Sequence, residues 1–168
     1  MRDATPDDAR AIAHVRAATW RHAYAHLFTH EQLATISEDQ DAERWTRFLR
    51  ELPPRSGALV AVGGASVVGF ASHGAARGEA ELGELFTIYV LPESWRRGAG
   101  RALMQETLSR LQQHGFAEAV LWVLEDNPRT RRFYESAGWH ADGGVMDGEW
   151  LGTMVREVRY RIGLQAAV

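Results

Sequence analysis

Trp95-Arg96-Arg97-Gly98-Ala99-Gly100-Arg101 follows directly on the apolar stretch Leu85 to Pro92. This order of residues suits a strand, a tight turn and a helix start that together hold a diphosphate. The first N–H groups of a helix have no intrahelical partner and sit at the positive end of its dipole, so phosphate oxygens satisfy both deficits. Gly98 and Gly100 let an anion approach the backbone closely, and Arg96, Arg97 and Arg101 add charge. The turn is not a P-loop, because it lacks Gly-x-x-x-x-Gly-Lys-Ser/Thr and the chain contains no lysine. Nor is it the Gly-x-Gly-x-x-Gly of a dinucleotide site, and it lies mid-chain instead of after a first strand. On the loop alone, a plain strand-to-helix turn that uses glycine for geometry stays open.

Other residue types narrow the chemistry. The chain has no cysteine, which excludes disulfides, thiolate metal sites and a covalent acyl-cysteine intermediate. His22, His26 and His30 recur every fourth residue, but a metal face would need one helix to run through Leu27-Phe28-Thr29, and no further ligand stands nearby; no metal is expected. Glu79, Glu81 and Glu84 precede the phosphate turn and read either as a solvated acidic edge or as working carboxylates. Trp20, Tyr24 and Phe28, with Met146, Asp147 and Trp150, read either as core or as the wall of a pocket for a cationic group.

The elements that must position these groups follow from periodicity. Thr5-Pro6-Asp7-Asp8 opens a helix over about 6–24, and His30 to Leu52 reads as a second helical region stopped by Pro53-Pro54. Ala58–Val62 and Val67–His73 form a hairpin about Gly63-Gly64-Ala65-Ser66, and Glu81–Leu91 is the third strand, reached through the loop Ala76 to Glu79. A helix over about 99–114 ends at His114-Gly115 and leads to a buried strand over 119–124, making a parallel crossover. Asp126-Asn127-Pro128 caps a short helix that Gly138 closes. Residues 139–146 and 153–162 form a last antiparallel pair around a loop at 147–152, and Leu164 to Val168 are expected to fray. Within 168 residues this describes one mixed α/β domain, 1–168. No apolar run approaches the ~18 residues that span a bilayer, and no signal peptide stands at the start, so a cytoplasmic protein is expected. A formal net charge of −3 argues against nucleic acid as a partner.

With the elements in this order, the chain resembles the GCN5-related N-acetyltransferase (GNAT) family. Ile88-Tyr89-Val90-Leu91-Pro92 and Arg96-Arg97-Gly98-Ala99-Gly100-Arg101 stand where that family carries its strand end and its Gln/Arg-x-x-Gly-x-Gly/Ala loop, although Trp95 replaces the first polar residue. Asn127, Phe133-Tyr134 and Gly138-Trp139 match a second segment of the family. The resemblance implies a central, mostly antiparallel mixed sheet flanked by helices, with a parallel pair that splays. It also implies transfer of an acetyl group from acetyl-CoA to a primary amine. Pantetheine would pair with Ile88, Tyr89 and Val90, and residues 96–101 would hold the diphosphate. A bulge near Ile88-Tyr89 would aim the Val90 N–H at the thioester carbonyl. Without cysteine the amine must attack directly, as a neutral nitrogen. The resemblance makes Glu84 the candidate base, with Glu81 and Glu79 as neighbours able to share the role, and Tyr134 the candidate acid for the leaving thiolate. Because two adjacent aromatics cannot share one core face, Phe133 is assigned to the core and Tyr134 to the cleft. Asn127 caps its helix and touches the cofactor.

The expected activity is single-step N-acetylation of a small amine or peptide amine. A rival of another class is a non-catalytic acyl-CoA sensor on the same fold. A homodimer formed by the exposed final strands is a further expectation.

Overall fold

A computed structural model describes residues 1–164; the rest of the segment expected to fray, 165–168, lies outside the described residues. Leu164 itself is pinned, its N–H donating to the Ala117 carbonyl at 2.8 Å. The chain runs β1 (Arg2–Asp3), a 3-10 turn (Pro6–Asp8), α1 (Ala9–Ala23), α2 (His30–Ala34), α3 (Glu38–Arg50), β2 (Gly57–Gly63), β3 (Ser66–Ala76) and β4 (Glu79–Val90). A second 3-10 turn (Pro92–Ser94), α4 (Ala99–Gln113), β5 (Glu118–Leu124), α5 (Pro128–Ser136), β6 (His140–Trp150) and β7 (Thr153–Gly163) complete it.

The seven strands form one sheet in the order β1-β2-β3-β4-β5-β7-β6. Only β4 and β5 are parallel, as the crossover through α4 requires. One face carries α1 and α3 over Ile12, Val15, Phe70 and Leu49. The other carries α4 and α5 over Leu85, Leu103, Leu111, Tyr134 and Tyr160. Among the described residues, no helix is long and apolar enough to cross a membrane.

Several boundaries differ from expectation for local reasons. The region 30–52 divides in two, because Thr35 turns its hydroxyl back onto the Gln32 carbonyl at 2.7 Å and Ser37 starts a new helix by accepting from the Gln40 N–H at 3.3 Å. Leu52 lies past α3 and is exposed. The loop expected over 147–152 is instead a hairpin tip: β6 and β7 pair out to Trp150 and Thr153, and Leu151 and Gly152 both take positive φ, 50° and 78°, as a tight two-residue turn demands. The strand 153–162 carries a change of face. Val155 packs with the α1-side aromatics, whereas Val158, Tyr160 and Ile162 pack beneath α4 and α5.

Two features of β4 set up the site. Its pairing with β5 covers only Gly83 with Ala119 and Glu84 with Val120, so beyond Glu84 the strands diverge and β4 has a free edge. A Cβ at Gly83 would lie 2.9 Å from Leu111 and 3.3 Å from Phe116, so glycine lets α4 and its exit close over the last paired residues. The bulge is also displaced. Ser72 pairs with Thr87 and His73 with Leu85, which leaves Phe86 as the extra residue instead of Ile88 or Tyr89. Leu85 and Ile88 therefore share the α4 face although three apart, while Glu84, Thr87 and Tyr89 face α1.

Candidate active site

The diverging strands open into a cleft of about 1570 Å³ that runs from the start of α4 to the β6–β7 hairpin. Its three parts have different chemistry.

At one end, Gly98 takes φ 89° and Arg96 φ 62°, turning the chain sharply into α4. The first amide with a helical partner is that of Ala102, which donates to the Gly98 carbonyl at 3.0 Å. The N–H groups of Ala99, Gly100 and Arg101 are thus left for a ligand. Arg96, Gly98, Gly100 and Arg101 line the cleft, whereas the Ala99 side chain packs on the core and that of Arg97 is exposed outside the lining. Trp95 does more than replace a polar donor. Its indole N–H donates to the Val90 carbonyl at 2.7 Å, Arg129 lies 3.7 Å over its ring, and His22 meets it edge-on at 4.9 Å. The turn is thereby bolted to the end of β4.

Along the middle, the Leu91 N–H donates to Val68 of β3 at 2.9 Å. Main-chain groups alternate sides along a strand, so those of Ile88 and Val90 face the free edge and the N–H of Tyr89 faces β3. The Val90 carbonyl is already taken by Trp95 and by the Thr19 hydroxyl at 3.1 Å; its N–H is open. Asn127 caps α5, its side-chain oxygen accepting from the Thr130 N–H at 3.2 Å, and is buried on the cleft wall. Tyr134 and Phe133 both line the cleft, so Tyr134 stands where expected, while Phe133 is not confined to the core. Tyr134 is the more buried ring, packed near Trp139 and Tyr160, while Phe133 lies against Gly100. Burial, reinforced by Tyr89, pushes the Tyr134 hydroxyl well above the ordinary phenol range, so it keeps its proton at every physiological pH.

The far end faces α1. Trp20 stacks on Trp150 at 5.2 Å and meets Tyr24 edge-on at 4.9 Å, and all three line the cleft with Met146 and Asp147. Trp20 and Tyr24 are also well buried, so wall and core are the same residues. Phe28 stacks beneath Trp20 and stays out of the lining. Glu84 lies on this face, only 3% exposed, with its Oε2 accepting from the Arg77 N–H at 3.3 Å and its Oε1 3.4 Å from the Arg77 guanidinium. Glu79 pairs with Arg159 at 2.7 Å, and neither it nor the exposed Glu81 lines the cleft. Glu157, not anticipated from the sequence, does line it. Burial, with Glu84 adding and Arg77 opposing, raises its carboxyl above the usual glutamate range. The three histidines are dispersed, because α1 ends at Ala23, His26 meets the Asp126 carbonyl at 3.1 Å and His30 starts α2.

The acetyltransferase (GNAT) family model matches residues 11–139. The chain belongs to the GNAT acetyltransferase family. As a member it is an acyltransferase that draws its acetyl group from acetyl-CoA. It is 38% identical over 132 residues to the uncharacterized N-acetyltransferase YuaI of Bacillus subtilis, covering 76% of this chain and 73% of that one. Among solved GNAT-type structures, the PaiA N-acetyltransferase of Thermoplasma acidophilum in complex with coenzyme A superposes with a TM-score of 0.77 at 19% identity, over 96% of each chain. YncA of Salmonella typhimurium with acetyl-CoA gives 0.73 at 21% identity, over 99% of this chain and 94% of that one. The GNAT fold thus accounts for the parallel pair that opens beyond Glu84.

Proposed function

We propose that the chain transfers the acetyl group of acetyl-CoA to the primary amine of a small molecule or peptide by direct attack of the amine. The observation that carries this reading is the continuity of the cleft. Free helix amides at Ala99, Gly100 and Arg101, the open N–H groups of Ile88 and Val90 and the protonated Tyr134 follow one another along it. The CoA and acetyl-CoA held by the PaiA and YncA structures support the same assignment.

Acetyl-CoA supplies the activated acyl group. Main-chain donors of residues 96–101, with Arg96 and Arg101, hold its diphosphate, and Ile88, Tyr89 and Val90 form the strand beside its pantetheine, with Asn127 on the opposite wall. The Val90 N–H is the donor placed to stabilise a developing oxyanion. Tyr134, kept protonated by burial, gives its proton to the departing thiolate. A carboxylate on the α1 face relieves the incoming ammonium of its proton, and Glu84 is the one that the family resemblance suggests.

A screen of polyamine, aminoglycoside, amino acid and peptide amines, read by release of free CoA thiol, tests the reading. Turnover with one class supports it. Tight binding of acetyl-CoA without turnover of any amine would instead favour a sensor. The open edge of β6, beside the exposed Val145 and Met154, is where a homodimer would form, and mass measurement in solution decides that point.

A further inference from the structure

Two carboxylates face the acceptor half of the cleft, and they are not equivalent. Glu84 is already engaged, sealed from solvent and held through both oxygens by Arg77. Glu157 sits in the middle of β7, opposite Leu124 of β5 and Met146 of β6, on the face that Val155 shares with Trp20 and Trp150. It is half-buried. Among the described residues no group donates it a hydrogen bond, and no cation lies at ion-pair distance from it. A part-buried carboxylate without a donor is costly unless a cation completes it. The charged and titratable groups around it are Glu84 and Tyr89 of β4, Arg77 between β3 and β4, and Tyr24 at the end of α1. Burial raises both tyrosines, which stay neutral, and Arg77 is committed to Glu84.

Resting on the acetyl transfer proposed above, we infer that Glu157 is the base that takes the proton from the acceptor ammonium, while Glu84, held by Arg77, positions and polarises that corner. The step balances. One proton passes from R–NH3⁺ to the Glu157 carboxylate, and the freed lone pair forms the C–N bond at the thioester carbonyl carbon. The C–S bond breaks and its sulfur takes the Tyr134 proton. The second nitrogen proton returns through water to Tyr134, and Glu157 releases its own to solvent, so amide, thiol and one proton result. The raised carboxyl of Glu157 suits a base working near neutral pH.

The test compares the wild-type enzyme, Glu157→Gln and Glu84→Gln with two nucleophiles. 2-Phenylethylamine is charged and fits the aromatic wall; hydroxylamine is already neutral at pH 7 and needs no base. Glu157→Gln is expected to lower kcat/KM for 2-phenylethylamine at pH 7 by about 100-fold or more and to abolish the acid limb of its pH profile. Hydroxylamine turnover should stay within about threefold, a selectivity that a structural defect would not give. Glu84→Gln should keep the acid limb and move it to lower pH, because a like charge is removed. An unchanged acid limb in Glu157→Gln, or equal loss with both nucleophiles, overturns the inference while leaving acetyl transfer intact. If neither nucleophile turns over, neither is an acceptor, and acetyl transfer itself is judged by the screen of amine classes above. Carbon-13 titration of the glutamate carboxyls then decides the site: a Glu157 signal shifted by 2-phenylethylammonium supports it, and an unmoved signal overturns it.

Discussion

The Val90 carbonyl accepts two side-chain hydrogen bonds, from the Trp95 indole at 2.7 Å and the Thr19 hydroxyl at 3.1 Å, and this joins α1, β4 and the phosphate turn at one atom. Trp95→Phe removes the first while keeping a ring under Arg129; Thr19→Val removes the second without changing shape. Each single change leaves the carbonyl one donor and should cost about 0.5–1.5 kcal/mol. Together they leave a buried carbonyl, on a residue 8% exposed, with no side-chain partner, which adds a desolvation penalty of about 1–3 kcal/mol. The double variant should therefore lose about 1–3 kcal/mol more than the sum of the singles. Urea unfolding of the four proteins measures the coupling. Titration calorimetry with acetyl-CoA should register part of it, because a turn released from β4 must be re-ordered on binding. Additivity within about 0.5 kcal/mol, the behaviour of independent sites, would refute the shared-acceptor account.

Tyr134→Phe should slow turnover by about 10²-fold or more with the acetyl-CoA Kd nearly unchanged. Because burial raises this hydroxyl, the wild-type profile should show no alkaline limb from it at neutral pH. His73 is 2% exposed, and burial, aided by His114 and Arg110, lowers it to about 4 from its ordinary 6.5. The unfolded chain then binds more protons than the folded one between those values, so stability should fall as pH drops from 6.5 to 4, by about 3 kcal/mol in all. His73→Phe should flatten that slope in urea midpoints. A Cβ at Gly69 would lie 2.9 Å from the Tyr89 carbonyl oxygen and 3.0 Å from Val90. Gly69→Ala should cost about 1–3 kcal/mol in thermal unfolding and also weaken acetyl-CoA binding, since it presses on the strand that lines the cleft.

Much of the fold was legible because its signals are local: glycine and arginine at a strand-to-helix junction, the Gly115 stop, the run Ala119 to Leu124 and the asparagine cap at 127. What escaped depends on pairing. The splay of β4 from β5 was expected from the family resemblance alone; that it begins after Glu84 is a matter of partners, invisible in the strand's own residues. The bulge fell at Phe86 because register with β3 decides it, and Leu85 and Ile88, three apart yet both apolar, are the trace it leaves in the sequence. Glu157 was missed for a related reason. Val155 lies three residues before Val158, so they must face opposite sides of a strand, and that phase places Glu157 beside the α1-side aromatics. That Phe133 joins Tyr134 in the cleft lining was not legible either, because size alone does not say which ring the helix turns deeper, beneath Trp139.

The most direct measurement is a crystal structure with acetyl-CoA bound. The account predicts diphosphate oxygens within hydrogen-bond distance of the amides of Ala99, Gly100 and Arg101, pantetheine along the free edge of Ile88 and Val90, and the thioester facing Tyr134. Acetyl-CoA bound elsewhere, or a diphosphate clear of the α4 amides, would contradict it.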